Sequence, residues 1–163
     1  MKIYLFNLKL IGKYHHPKLV RERSFQCEDG MLFNNPENIY RLAVNTLHLN
    51  TRAEEYVYAL CLDTTLQSLQ GIFEVSHGSI DCSILSPREV LLRAILCGAS
   101  KIIIVHNHPS GNTIPSSQDI SITKKMWNAC NLIGIPLADH IIIGNWYYSF
   151  YENFSFIWKT KEE

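Results

Sequence analysis

The chain has 163 residues, of which 47% are hydrophobic and 18% are charged. This composition is typical of one globular domain and excludes a chain that is disordered throughout. Lysine plus arginine and aspartate plus glutamate number 15 each, so no overall charge excess supports a nucleic-acid or membrane partner.

The five cysteines are odd in number and form no Cys-x-x-Cys pair, which argues against a disulfide scaffold and a cysteine-ligated zinc. The N-terminal residues lack the apolar run and cleavage site of a signal peptide. No stretch approaches the roughly 18 apolar residues that span a bilayer. We therefore predict a cytoplasmic protein with no membrane partner.

Hydrophobic patterning in the first half of the chain predicts two strands, a helix and a hairpin. Partial alternation favours strands at residues 3–10 and 19–25, and an Asn-Pro pair opens a predicted helix over residues 35–49. Residues 55–62 are aromatic and apolar, as expected for a buried strand, and residues 66–76 follow a turn as its hairpin partner.

The second half alternates helices with strands. A serine-proline pair, with a glutamate three residues after the serine, predicts a capping box that opens a helix over residues 86–98. Residues 101–105 are continuously apolar and predict a central strand covered on both faces. A helix over residues 117–132 and strands over 135–143 and 145–150 complete the prediction.

Interleaved helices and strands predict an α/β fold, with a single mixed β-sheet flanked by helices. We predict a strand-rich N-terminal extension over residues 1–34, a main domain over residues 35–158 and a charged, frayed tail over residues 159–163. The oligomeric state is not predicted.

Two histidines at the end of the predicted central strand are the strongest indication of chemistry. Residues two apart in a strand point to the same side, so His106 and His108 project together. Ser116 opens the next helix, and Asp119 lies in its first turn. Two imidazoles and one carboxylate, with a coordination position left open, are how a catalytic zinc is held.

A structural explanation exists for parts of this pattern. Ser116 and Asp119 could form a simple capping box, and either histidine alone could be a hydrogen-bonded loop residue. Capping does not account for two imidazoles on one side of a strand end, so we favour the metal site. Nitrogen, nitrogen and oxygen ligands suit Zn2+ better than copper or an iron–sulfur cluster.

Hydrolysis at such a site needs a general base. The candidates are Glu54 and Glu55 at the start of a buried strand, and Glu74 in the next strand. For Glu54 a solvated charge is the stronger explanation, whereas for Glu55 the residues alone leave the choice open.

The spacing His106-x-His108, seven residues, Ser116, two residues, Asp119 resembles the JAMM motif of the MPN (JAB) metallopeptidases. The longer string over residues 106–112 is similar to the bacterial RadC-like branch. That string reads His-Asn-His-Pro-Ser-Gly-Asn. Two further matches flank it: Ser-Pro-Arg-Glu-Val at residues 86–90 and Asp-His-Ile-Ile-Ile-Gly at residues 139–144.

The resemblance implies the cytidine-deaminase-like MPN fold and a role for each motif residue. His106, His108 and Asp119 would bind zinc, and Ser116 would assist the tetrahedral intermediate near the developing oxyanion. RadC-like sequences place their catalytic glutamate in Glu-x-x-x-x-x-x-Leu-Asp, which matches this chain from Glu55, with Glu54 as the second choice.

The function that the resemblance implies is zinc-dependent hydrolysis of a peptide or isopeptide bond in an unknown protein or peptide substrate. The alternative is a non-catalytic or DNA-repair-associated binding module that retains the metal site. Longer RadC-like proteins carry an N-terminal helical region resembling DNA-binding modules, whereas here the first 34 residues are predicted as strands. His140 is interpreted as a structural residue near the site, not as a ligand.

Overall fold

The computed structural model describes residues 1–27, 30–67, 69–78 and 85–154, and these form one seven-stranded sheet with four α-helices. The strands are β1 (Lys2–Ile11), β2 (His16–Gln26), β3 (Glu55–Leu62), β4 (Leu69–Gly78), β5 (Lys101–Asn107), β6 (Leu137–Ile143) and β7 (Tyr147–Ser149). The helices are α1 (Pro36–Asn45), α2 (Pro87–Leu96), α3 (Ser117–Ile133) and α4 (Phe150–Asn153). The predicted charged tail and Cys82 lie outside the described residues.

The sheet is mixed, with strand order β2-β1-β4-β3-β5-β6-β7. β1 pairs in parallel with β4 and β5 with β6, while the remaining neighbours are antiparallel. Consequently β1, β4, β5 and β6 end at the same edge of the sheet, and β3 begins there. In α/β sheets this edge is where ligands bind.

Helices cover both faces of the sheet, because the central strands are apolar on both sides. In β3, Tyr58 and Leu60 pack with α1, whereas Ala59 and Cys61 pack with α2 and α3 on the opposite face. In β5, Ile104 belongs to the second face, and His106 continues it two residues later. The predicted α/β fold with one mixed sheet is confirmed.

Two predicted helix boundaries differ from the structure for local reasons. α1 ends at Asn45, short of residue 49, because His48 has a φ of 54° and the chain continues as a 3-10 turn over Leu49–Thr51. At α2, the predicted capping box does not form: Ser86 makes no side-chain capping bond, and the Glu89 carboxylate pairs with two arginines, one preceding it and one a turn later.

The last predicted strand is also shorter than expected. It ends at Ser149, whose hydroxyl accepts a hydrogen bond from the Glu152 N–H and so caps α4. The Ser149 hydroxyl also donates to the buried carboxylate of Asp139 at 2.6 Å, which ties this turn to β6.

Within the described residues, no helix combines the length and the apolar character that a membrane span requires.

Candidate metal centre

The two predicted imidazole ligands lie at the end of β5. His106 is 3% exposed and His108, just beyond the strand, is half-buried, with their Nε2 atoms 3.1 Å apart. The Nδ1 atom of His108 lies 2.7 Å from the carbonyl oxygen of Asn112. Because a carbonyl can only accept, Nδ1 carries the proton and Nε2 of the neutral ring presents a lone pair to the site.

Asp119, in the first turn of α3, completes the cluster. Its Oδ1 lies 3.2 Å from His106 Nε2, and its Oδ2 lies 3.4 Å from His108 Nε2. Burial alone would raise the pKa of Asp119, but protonated His106 and His108 would donate to its carboxylate, and these bonds, with the one from Ser116, hold that pKa well below its usual value. The side chain is therefore a carboxylate at neutral pH.

The donor atoms lie close enough together to share one metal ion. Tetrahedral zinc with bonds of about 2.0–2.1 Å separates neighbouring ligand atoms by about 3.3–3.4 Å. The two Nε2 atoms are 3.1 Å apart, and they lie 3.2 Å and 3.4 Å from different oxygens of the Asp119 carboxylate. One donor atom from each of His106, His108 and Asp119 lies within 4.8 Å of the others, so these three residues, here called the metal-ligand group, could bind a metal ion.

Ser116 holds the carboxylate of Asp119 in place. Its hydroxyl and its main-chain N–H each donate to Asp119 Oδ2 at 2.7 Å, and the hydroxyl accepts from the Asp119 N–H at 3.1 Å. This complete capping box occupies Oδ2 and leaves Oδ1 directed at His106. The capping and metal-ligand explanations of Asp119 are therefore compatible.

The three glutamates considered from the sequence lie in different places. Glu55, the first residue of β3, lines the same groove as the metal-ligand group, whereas Glu54 is exposed and lies outside that lining. Glu74 accepts a hydrogen bond from Tyr58, on the face of the sheet that carries α1, and so points away from the site. Burial raises the pKa of Glu55, partly offset by the two nearby histidines.

Asn107, between the two histidines, bonds to the main chain on both sides of Glu55. Its side chain is buried, accepts from the Tyr56 N–H at 2.8 Å and donates to the Glu54 carbonyl at 3.0 Å. The β3–β5 ladder extends only to the pair Val57–His106, so the Asn107 amide takes over beyond it. Sequence reasoning missed this residue, and an amide placed between two ligands was the available sign.

A second set of contacts lies behind His106. The Nε2 atom of His140, in β6, is 2.8 Å from His106 Nδ1, and its Nδ1 atom is 2.6 Å from the Thr123 hydroxyl of α3. The His140 ring is 2% exposed and stacks on Phe150. As predicted, His140 lies beside the site and outside the ligand group, whereas Thr123 was not predicted at all.

The loop between His108 and α3 packs closely against the β6–β7 turn. Gly111 has a φ of 78°, and a side chain there would approach Asn145 Oδ1 to 2.8 Å. The Gly111 carbonyl accepts from the Asn145 N–H at 2.9 Å, and the His108 N–H donates to the Ile143 carbonyl at 2.9 Å. These bonds fix the loop that carries His108.

A groove of about 940 Å³ opens in front of the ligands. Glu55 and the metal-ligand group form its floor, and Lys125 adds a cation to its lining. Its apolar lining comes from Val57, Leu85, Pro87, Pro109, Ile114 and Ile122. The groove has the size and mixed lining of a ligand site.

Residues 33–155 match the RadC-like JAB domain family. A UPF0758 protein of Alkaliphilus oremlandii is 48% identical over 92 residues, 56% of this chain and 40% of that protein. UPF0758 proteins of Finegoldia magna and Clostridium acetobutylicum are 40% and 37% identical over 72% and 78% of this chain, and 51% and 55% of theirs. The chain spans about half the length of these curated relatives. Since the family match covers most of its length, the chain belongs to the RadC-like JAB domain family.

Proposed function

We propose that this chain is a zinc-dependent hydrolase that cleaves a peptide or isopeptide bond. The observation that carries the proposal is the convergence of the His106 and His108 Nε2 atoms and the Asp119 carboxylate in a groove that Glu55 also lines. A zinc ion held by these atoms would polarise the scissile carbonyl and increase the acidity of water.

Glu55 is the proposed general base and acid. Its carboxylate takes a proton from the attacking water as the water oxygen bonds to the carbonyl carbon. The proton then passes to the amide nitrogen as the carbon–nitrogen bond breaks, so Glu55 returns to its starting state. Burial raises the pKa of Glu55. This suits both transfers, because a group exchanges protons most effectively when its pKa lies near the working pH.

Ser116 is the proposed donor to the developing oxyanion. Its hydroxyl proton is directed at Asp119 Oδ2, which also accepts from the Ser116 N–H. Donation to substrate therefore requires rotation about the Cβ–Oγ bond of Ser116, after which the main-chain N–H still holds the carboxylate. Ser116 thus positions a ligand in the resting site and becomes a donor during the reaction.

Cleavage is tested with the zinc-loaded chain and two peptide mixtures, one with ordinary peptide bonds and one with peptides joined through lysine side chains. Mass spectrometry identifies new termini. We expect cleavage in one mixture, a loss of about 10²–10⁴-fold in rate for Glu55→Gln, and an unchanged rate for the exposed neighbour Glu54→Gln. Zinc-loaded wild-type protein that cleaves neither mixture would contradict the proposal.

One observation favours a second function, binding of nucleic acid. Residues 1–27 carry six of the fifteen basic residues and one of the fifteen acidic ones. The β1–β2 hairpin is therefore basic, although the whole chain has no net charge. All six cations are exposed, and within the described residues none pairs with a carboxylate. Lys9 lies directly opposite Lys18, an arrangement that costs stability unless an anion is bound.

Fluorescence anisotropy with a labelled DNA duplex tests the second function. Phosphate binding predicts an affinity that falls steeply with salt, by a smaller slope in Lys9→Gln/Lys18→Gln. Arg41→Gln/Lys101→Gln, which removes the same charge outside the hairpin, serves as the control. Equal affinities for the two double variants would contradict binding through the hairpin.

A further inference from the structure

A chain of three hydrogen bonds runs from the His106 ring to the main chain of Asp119. His106 Nδ1 lies 2.8 Å from His140 Nε2, and His140 Nδ1 lies 2.6 Å from the Thr123 hydroxyl oxygen. That oxygen in turn lies 2.6 Å from the carbonyl oxygen of Asp119, one turn earlier in α3. Both ends of the chain are therefore members of the metal-ligand group.

The Asp119 carbonyl, at the end of this series of hydrogen bonds, determines where each proton lies. A carbonyl oxygen can only accept, so the single hydroxyl proton of Thr123 is donated to Asp119. The Thr123 oxygen must then accept from His140 Nδ1–H. A neutral His140 consequently has a bare Nε2, which accepts from His106 Nδ1–H and leaves His106 Nε2 without a proton.

We propose that His140 and Thr123 are positioning residues that fix the tautomer of His106, so that its Nε2 lone pair faces the metal position before any metal arrives. The inference rests on the proposed metal-dependent function and deepens it. His108 is fixed in the same sense by the Asn112 carbonyl. Both imidazoles thus direct an unprotonated Nε2 at the metal position without rearrangement of protons.

The surroundings of His140 support this assignment. The ring is buried between His106 and Thr123 and stacks on Phe150 at a centroid distance of 5.0 Å, so it has little freedom to turn. Ligand histidines in proteins commonly donate to a carboxylate or a carbonyl. A neutral imidazole orients His106 without adding negative charge.

One competing arrangement has the opposite proton order. His106 could carry its proton on Nε2 and donate to Asp119 Oδ1, 3.2 Å away. Thr123 would then donate to His140, and no proton would remain for its 2.6 Å contact with the Asp119 carbonyl. In that arrangement the metal must displace a proton from His106, and Thr123 contributes nothing to metal affinity.

Nuclear magnetic resonance distinguishes the two arrangements in metal-free protein. Long-range proton–nitrogen correlations at about pH 8, above the usual titration range of histidine, report which ring nitrogen carries the proton. We expect Nδ1–H for His106 in the wild type and in Thr123→Ser, which keeps the hydroxyl. In Thr123→Val, which has the same shape without it, Nε2–H should appear. Zinc affinity should then fall about 10–100-fold in Thr123→Val and return in Thr123→Ser.

The outcomes separate this inference from the proposed function. Nε2–H on His106 in the wild type, or equal zinc affinity of the Val and Ser variants, would overturn it and leave the hydrolase proposal standing. The wild-type measurement needs no variant to fold, no metal and no turnover. Failure of zinc-loaded protein to cleave peptides would contradict the hydrolase while leaving the tautomer result intact.

Discussion

The edge of the sheet that carries the metal-ligand group and the β1–β2 hairpin are built in opposite ways. At the candidate metal centre, polar side chains such as Asn107, Thr123 and His140 are almost fully buried, and each has hydrogen-bond partners. In the hairpin, every basic side chain is exposed, and β1 pairs with β4 only at Leu5 and Phe6 before continuing with β2 alone.

This difference shows in which region the stability of the protein depends on exact hydrogen-bond geometry. A buried polar group without a partner costs about 1–3 kcal/mol, so a buried network tolerates few arrangements. An exposed ribbon has no such constraint, and its substitutions should change stability little. The metal centre should therefore respond strongly to single atomic changes, whereas the hairpin should respond mainly to total charge.

The largest contrast is expected from removal of imidazole or carboxylate ligands. His108→Ala or Asp119→Ala should abolish stoichiometric zinc binding, because two protein ligands remain where a zinc site needs three or more. The control is His15→Ala/His16→Ala, which removes two imidazoles from the hairpin turn and should leave binding unchanged. Equilibrium dialysis with elemental analysis measures both, and full zinc occupancy in either ligand variant would refute the assignment.

A matched pair of asparagine substitutions tests the difference in burial. Asn107→Leu should lower the free energy of unfolding by about 2–4 kcal/mol, because it leaves the Tyr56 N–H and Glu54 carbonyl without their partner. Asn7→Leu, in exposed β1, should change it by less than about 0.5 kcal/mol. Chemical denaturation of both variants provides the comparison, and similar losses would contradict a stabilising role for the two buried hydrogen bonds of Asn107.

Zinc affinity should fall as pH is lowered. Burial alone would lower the pKa of His108, but hydrogen bonds to Asp119 and the Asn112 carbonyl raise it above the ordinary 6.5. A protonated imidazole cannot bind metal, so the affinity should begin to decline above pH 6.5 and lose about tenfold per pH unit for each proton displaced. Calorimetric titration across pH measures this, and a flat profile would exclude imidazole ligation.

The smallest effect is expected from a charge change in the hairpin. Lys18→Glu converts the like-charged pair with Lys9 into an opposite-charged one and should stabilise the protein by about 0.2–1 kcal/mol. Zinc affinity should not change. Thermal unfolding and zinc titration of the variant would show whether the hairpin is energetically independent of the metal centre, and a loss of zinc affinity would join the two regions.

The sequence predicts contacts between near neighbours better than contacts between distant ones. His106, His108 and Asp119 span 14 residues and follow one strand, one loop and one helix start, so their convergence could be predicted from local periodicity. The hydrogen bond from the Tyr56 N–H to Asn107 joins residues 51 apart, and the His106–His140 contact joins residues 34 apart. Both depend on the β3–β5–β6 strand order, which single-residue patterns do not specify.

Two further differences, at the starts of α2 and α4, arise from side-chain partners. Glu89 has the spacing of a capping residue after Ser86, yet arginines on both sides attract its carboxylate away from the helix start. Phe150 continues an aromatic run that favours a strand, but Ser149 is bonded to Asp139 of β6 and starts α4 instead. In each case a side-chain partner outweighs the local pattern.

Zinc-edge anomalous diffraction from crystals of the zinc-loaded protein tests the central claim most directly. We predict a single peak within about 2.0–2.2 Å of His106 Nε2, His108 Nε2 and a carboxylate oxygen of Asp119, with the Glu55 carboxylate facing the remaining coordination position. The absence of a peak at these three side chains, or a peak held by other residues, would contradict it.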